Sequence, residues 1–429
     1  MMNILKQVWY EMRQQPLVTW VTVSGTAISI FLIMVLYMVG KVDTVGAAPE
    51  VNRDRTLYAP YLHVRSLDGS TESSGSLNTE MMEKLYKGLP GVKVYAVTCS
   101  WSDRKDGNVK GGVLYGAEVK PVDAGFWKLY RFDFTSGKPF TASQVKADMK
   151  VAVLTEKVAR ELGKGADMTG REVLIGHVPY RVAGVVKNTS PLLKNSFGDI
   201  YVPYVEDPGQ IWSTYFGQGQ LAMLLDDDAD VAAIKAEVKR RYEVLNDQLK
   251  KEGKEAIYHQ SPFTAEEMAS EAGSNNDPDT EGARHRRWIL YGLLLLVPAI
   301  NLGGMTRSRL KKRVSEIGVR RAYGAKRTGI AMELVGENFL LTLAGGVIGL
   351  LLSVVFITAF SHLFVDYPGW SGSESGVNET PAFTMLFSWG MFGMLVASCF
   401  VLNLLSTGIP AWKASRVNPA EAISASPKS

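Results

Sequence analysis

NLGGMTRSRLKKRVSEIGVRRAYGAKR (Asn301 to Arg327) starts apolar and turns strongly basic: from Arg307 to Arg327 it holds nine Lys and Arg against one acid, Glu316. Gly303 and Gly304 make a bend cheap where the apolar part ends. Val314, Ile317, Gly318, Ala322 and Ala325 offer a small-residue apolar surface, and Arg320, Arg321, Lys326 and Arg327 offer charge beside it. Two readings stand side by side. One is a basic flank whose cations snorkel to water and fix membrane topology. The other is a surface presented to a cytoplasmic partner.

The chain around this elbow supplies the membrane. Before it, 288–306 is 19 uncharged residues; 14–40 gives 27, 338–365 gives 28 and 380–412 gives 33, broken late by Pro410. Each is long enough at about 1.5 Å per residue to cross a hydrocarbon core of about 30 Å. Four transmembrane helices are expected, at 17–40, 288–306, 338–365 and 381–409. The first apolar run is too long for a signal-peptide core, so it reads as a retained span. Short-loop Lys and Arg set the orientation. The basic segment 307–337 is placed in the cytoplasm, with the N-terminus 1–16 (Lys6, Arg13) and the tail 410–429 (Lys413, Arg416, Lys428), while the short external loop 366–380 carries acids only. Arg284, Arg286 and Arg287 oppose the rule locally without reversing its sum. The expectation is a multi-pass protein of a bacterial cytoplasmic (inner) membrane with both termini cytoplasmic.

The 429 residues carry a net charge of +4, which gives no global basic surface for nucleic acid. Two cysteines, Cys99 and Cys399, exclude a disulfide framework and a thiolate zinc site. The remaining 41–287 reads as one extracytoplasmic domain with 33 Lys and Arg against 35 Asp and Glu. It contains two strand–helix–strand units: strand 55–66, helix 78–88 capped by Asn78, strand 92–99; then strand 221–225, helix 228–249, strand 257–259. Between them, about 113–205, short β-branched runs at 150–154, 172–175 and 180–186 are punctuated by Gly163, Gly165, Gly170 and Gly176, with one short helix at 155–162. The fold class is therefore a four-span membrane protein with a large α+β domain between spans 1 and 2, a discontinuous α/β lobe plus an inserted β-rich lobe.

No catalytic or metal-binding residue is assigned. HExxH, G-x-S-x-G and the phosphate-cradling G-x-x-x-x-G-K-[ST] are absent from the sequence, and His63, His177 and His259 are far apart along it. Asp226, Asp227, Asp228 and Asp230 fit a solvated turn whose acids stabilise a helix N-terminus better than a cation site. Gly345-x-x-x-Gly349, with Gly346, permits two helices to approach closely, within the chain or across a dimer.

Glu316-Ile317-Gly318-Val319-Arg320-Arg321-Ala322-Tyr323-Gly324-Ala325 resembles a signature of the MacB/FtsX-type permease family of ABC transporters. So do Glu337, the Gly345-Gly346 pair with Gly349, and Pro410-Ala411 through Arg416 and Asn418-Pro419-Ala420-Glu421-Ala422. In the domain, Gly137-Lys138-Pro139-Phe140, Val151-Ala152-Val153-Leu154, Val158-Ala159, Leu162, Gly170 and Val182-Ala183-Gly184-Val185 look like the family's periplasmic core domain. Tyr323 departs from the smaller aliphatic residue usual there, and no fused ATPase domain is recognisable. The resemblance implies a permease without enzymatic activity of its own, and a separate cytoplasmic ABC ATPase that binds ATP and Mg. It further implies a second permease copy or a paralogue, and ATPase coupling through Arg313, Glu316, Ile317, Gly318, Arg320, Arg321, Gly324 and Ala325. Motion would pass through the first two spans to the exported domain, on a peptide, lipoprotein, lipid or drug. A transport role calls for a periplasmic adaptor or outer-membrane conduit. A regulatory scaffold acting on a cell-wall hydrolase or sensor kinase is the alternative of another class.

Overall fold

The computed structural model describes residues 16–100, 103–109, 112–164, 166–190, 193–206, 214–270, 275–296, 323, 327–359 and 387–415. They fall into two compact units, one holding the long helices and one formed by 41–283.

The helical unit carries large apolar side chains on its outside as well as in its interior. Helix Pro16–Val42 is apolar through most of its length. It buries Thr19, Thr22, Thr26 and Ser29 along with Val23, Ala27, Ile30, Ile33 and Met34, while Trp20 and Ile28 are 70% and 52% exposed. Thr26 Oγ1 donates to Thr22 O at 3.0 Å, so the buried hydroxyl is satisfied within its own helix. Helix Arg327–Ala359 likewise buries Thr342 and Ser353 and exposes Leu351 and Val355. Polar atoms inward and large apolar side chains outward is the distribution a hydrocarbon solvent selects. Among the described residues, Thr19–Lys41 and Phe339–Ile357 are long and apolar enough to cross a membrane, and Trp389–Val401 is a shorter apolar stretch.

Three helices differ from the sequence reading in extent. Helix Arg327–Ala359 includes residues assigned to the cytoplasmic elbow, because Ala331, Met332, Glu333 and Leu334 are good helix formers that continue the apolar helix. Helix Trp389–Ser415 runs past Pro410, since a proline in a long apolar helix removes one hydrogen bond without forcing an end. A helix over 280–296 contains the start of the 288–306 window, whose remainder lies outside the described residues.

In the 41–283 unit the strands form one continuous sheet path. Strand Thr56–Ala59 pairs with Gly219–Leu225, and strand Leu62–Ser66 pairs with Glu72–Leu77 and with Lys254–Ile257, all antiparallel. The single strand expected over 55–66 is thus broken at Pro60, which has no N–H to give a ladder. Gly219–Leu225 also pairs antiparallel with Val92–Cys99, so the second strand–helix–strand unit interleaves with the first. Helix Thr79–Tyr86 is capped by Asn78, whose side chain accepts from Met81 N at 2.8 Å. Helix Val231–Leu249 is capped by Asp230, which accepts from Ala232 N and Ala233 N. Ile234, Val238, Tyr242, Leu245 and Leu249, at helical spacing, share one core with Met81, Leu85 and Tyr86.

Toward the other end of the path, Val151–Thr155 lies parallel to Val178–Val186 and antiparallel to Ile200–Pro203, which runs parallel to Gly112–Val122. Helix Glu156–Gly163 packs Val158, Ala159 and Leu162 onto these strands. Thr98 opposite Val122 joins the two parts of the path, backed by an aromatic layer of Phe126, Tyr130, Phe140 and Tyr201.

Asp123 Oδ1 accepts from Phe126 N at 2.9 Å and caps the turn that starts this layer. Burial raises its pKa to about 6. A carboxyl whose folded pKa lies above its unfolded one favours the fold less as it ionises, so stability falls between about pH 4 and pH 6, by up to about 3 kcal/mol. Asp123→Asn keeps the capping oxygen and removes the charge. It is expected to raise the Tm above pH 7 and leave it unchanged near pH 4, measured by thermal unfolding across pH; an equal effect at both ends would refute the assignment.

Candidate functional site

Two assemblies involve the first helix or the chain that leaves it. The first is the glycine face of helix Arg327–Ala359. A Cβ on Gly345 would sit 2.8 Å from Thr26 Cβ and 3.0 Å from Val23 O; one on Gly349 would sit 2.5 Å from Ala27 O and 3.1 Å from Phe31 N. These gaps are below van der Waals contact, so only glycine lets the backbones meet. Gly346 faces Ile30 on one side and Val396 on the other. Phe31 meets Phe356 edge-on at 5.5 Å, and Phe339 meets Phe400 at 5.1 Å. The close approach therefore runs within one chain, with helix Arg327–Ala359 between helix Pro16–Val42 and helix Trp389–Ser415.

The second assembly staples the chain leaving the first helix onto the core of the 41–283 unit. Thr44 N and Val45 N donate to Lys41 O and end the helix. Glu50 and Arg53, almost fully buried, then form an ion pair with Arg53 Nε 2.6 Å from Glu50 Oε2. Ser196 N donates to Glu50 Oε1 at 2.7 Å, and Arg131 N donates to Pro49 O at 2.9 Å. Burial opposes the charge on Arg53, but the Glu50 carboxylate outweighs it and the pKa rises above the ordinary arginine value. Nearby, Lys120 Nζ is buried and donates to Lys194 O at 3.0 Å, its pKa lowered by desolvation. Lys194 Nζ reaches Asp43 Oδ1 at 3.3 Å, nearer the helix end. Residues 43–56 are thus clamped to the turn 193–198, which leads into strand Ile200–Pro203.

The elbow residues Arg313, Glu316, Ile317, Gly318, Arg320, Arg321, Gly324 and Ala325 lie outside the described residues; Tyr323 is described, as an 89% exposed turn residue. The aspartates near 226–230 are dispersed into separate tasks. Asp230 caps a helix, Asp227 pairs with Arg55, and Asp226 lies 3.7 Å from Lys93. Among the described residues no group of three or more His, Cys, Asp and Glu is placed to hold a metal ion. Sequence reading missed two features. Glu50 and Arg53 were given no role from the sequence, and their spacing of three was the only signal. His63 and His259, 196 positions apart, are brought to 2.7 Å, which no local pattern announces.

Comparison with known proteins agrees with this layout. A profile described as the MacB-like periplasmic core domain matches residues 19–241, and one described as the FtsX-like permease C-terminal matches 288–419. The ABC transporter permease YknZ of Bacillus subtilis is 25% identical over 345 residues, covering 80% of this chain and 78% of that protein. The macrolide export ATP-binding/permease protein MacB of Agrobacterium fabrum is 25% identical over 321 residues, covering 73% of this chain. The chain spans 44% of that MacB's length. The crystal structure of the periplasmic region of MacB from Actinobacillus actinomycetemcomitans superimposes with a TM-score of 0.35 at 16% identity, covering 50% of this chain and 90% of that one.

Proposed function

Because the chain belongs to the MacB/FtsX-type ABC transporter permeases, with a MacB-like periplasmic core domain and an FtsX-like permease domain, we propose that it is the membrane subunit of a transporter in the cytoplasmic membrane. It spans four times with both termini inside. A separate cytoplasmic ATPase, which binds ATP and Mg, docks on the elbow 307–337, and a second permease copy or paralogue completes the complex. Nucleotide-driven closure displaces the second span, and the movement reaches the core domain through spans 1 and 2. The work is done on an exported peptide, lipoprotein, lipid or drug, with a periplasmic adaptor or outer-membrane conduit receiving it.

The observation that carries this reading is the clamp on residues 43–56. A buried ion pair and backbone hydrogen bonds at the helix exit resist slack between a moving helix and the domain it must move. The inward-facing hydroxyl of Thr26 is satisfied within its own helix and its side chain lies against Gly345, which suits a helix packed for sliding or tilting more than one lining a polar conduit.

The test is the double substitution Glu316→Ala and Arg320→Ala, assayed by co-purification with the cognate ATPase and by the permease-stimulated rate of ATP hydrolysis. Loss of co-purification and a fall in stimulated turnover of about tenfold, about 1.4 kcal/mol of coupling, are expected. Unchanged association and turnover would remove the elbow from the mechanism. Recovery of a hydrolase or sensor kinase on the core domain, with no effect of ATP on any cargo, would favour the regulatory scaffold instead.

A further inference from the structure

His63 Nδ1 and His259 Nε2 are 2.7 Å apart. The ring planes are 10° from parallel and the centroids are 5.0 Å apart. That centroid distance is the N···N distance plus roughly two ring radii, so the imidazoles lie edge to edge in nearly one plane, a head-on N–H···N contact and not a π-stack. Each outer nitrogen faces a carboxylate: His63 Nε2 is 2.7 Å from Glu72 Oε1, outside ideal hydrogen-bond alignment, and His259 Nδ1 is 2.9 Å from Asp277 Oδ1. The result is a row Glu72, His63, His259, Asp277 with three links.

Counting protons decides its state. Two neutral imidazoles own two N–H groups, one short of three links. One added proton supplies the third, and the pair then carries +1 between two carboxylates. A second would put N–H on both facing nitrogens, 2.7 Å apart, and the contact would repel. We propose that His63 and His259 share one proton and form a proton-gated clasp, which holds the segment 275–279, the lead-in to the helix over 280–296, against the sheet of the core domain.

The clasp lies where such a device would have leverage. His63 sits in strand Leu62–Ser66, opposite Ile257 of the neighbouring strand, and His259 follows that strand by two residues. Ser74 bonds Asn275 beside it, and Asp279 N donates to Ser270 O. The other charged and titratable groups that face the row are accounted for. Arg65 next to His63 is held by Glu255, with Nε to Oε1 at 2.9 Å, and Tyr258 near Asp277 donates to Lys235 O. Lys235 is itself paired with Glu267. Burial first, then the neighbouring His259 ring, hold the His63 pKa below the ordinary value, which agrees with exclusion of the second proton. The clasp is closed between two titration steps and loosens on both sides: above the upper step a lone pair faces a carboxylate, and below the lower step the rings repel.

The chain has five histidines, so full-length protein labelled with ¹⁵N at histidine and held in detergent micelles gives a readable titration. His63 and His259 are expected to follow the same two midpoints, as a coupled pair does. Hydrogen exchange of 275–283, taken relative to His259→Gln at each pH, is expected to show a bell-shaped gain in protection of about tenfold at its maximum. Asp277→Asn, at a half-exposed site, keeps an acceptor oxygen but removes one of the two negative charges that hold the shared proton, and should lower the upper midpoint and flatten the bell. Two rings titrating independently near pH 6.5, or protection that tracks His259→Gln at every pH, would overturn the clasp. A profile abolished by a chelator would overturn it in favour of a bound metal ion. None of these readouts depends on transport, so failure here and failure of the coupling experiment are separable.

Discussion

Replacing Arg53 by methionine, with Glu50 left in place, is expected to destabilise the core domain by about 3–5 kcal/mol, the usual cost of stranding one member of a buried ion pair. Both side chains are almost without solvent, at 3% and 0% exposure, so screening offers the orphaned carboxylate no relief. The effect should appear as a fall in the urea midpoint of the full-length chain in mild detergent, without a change in slope. Adding Glu50→Leu to make the double variant should recover part of the loss, because neither member of the pair then leaves an unpaired charge buried. Recovery will be incomplete, since Ser196 N–H loses its acceptor at about 1–3 kcal/mol. A loss below about 1 kcal/mol for Arg53→Met would place the pair in the class of screened surface bridges and remove the clamp from the mechanism. If the clamp transmits movement, the same variant uncouples ATP hydrolysis from work on cargo at temperatures where the domain is still folded.

Gly349→Leu should be the most damaging single change in the helical unit. The first atom of any side chain at this position lands 2.5 Å from Ala27 O, and a backbone oxygen cannot step aside as the tip of a flexible side chain can. The two helices must separate by about 1 Å to admit even alanine, at about 1–3 kcal/mol, with leucine worse. Gly393→Ala is the matched control: nothing lies within 4 Å of its added Cβ, and alanine favours the helix by about 1 kcal/mol. Thermal denaturation in detergent should show a clear fall for Gly349→Leu and no fall for Gly393→Ala. Equal behaviour would mean that the glycine face does not bind the first helix.

The parts legible in the sequence were those governed by periodicity and solvent. Runs without charge marked apolar helices because hydrocarbon tolerates few ionised groups, and Asn78 announced its helix because a free N–H row wants a short acceptor. The strands 150–154, 172–175 and 180–186 were readable from β-branched runs between glycines, and appear within a few residues of where they were expected. Strand Glu72–Leu77 was not: its Ser73, Ser74, Gly75 and Ser76 have turn-like chemistry and become a strand only because Leu62–Ser66 and Phe216–Gly217 pair with it. The interleaving of Gly219–Leu225 beside Val92–Cys99 depends on contacts more than a hundred residues apart, which carry no local mark. The same holds for the clamp. Glu50 and Arg53 have the composition of surface residues, and only the turn 193–198 folding over them makes them interior.

The strand order places the two grips on the ends of the core domain at the two ends of its sheet path. The turn 193–198 that grips residues 43–56 precedes Ile200–Pro203 at one end, and His259, which grips 275–279, follows Lys254–Ile257 at the other. Because Ile200–Pro203 also pairs with Gly112–Val122, a load between the two grips passes from that strand to Val92–Cys99 at the rung between Thr98 and Val122, backed by the aromatic layer. A pull that separated the two grips would load that narrow join, which lies on the strand next to Ile200–Pro203.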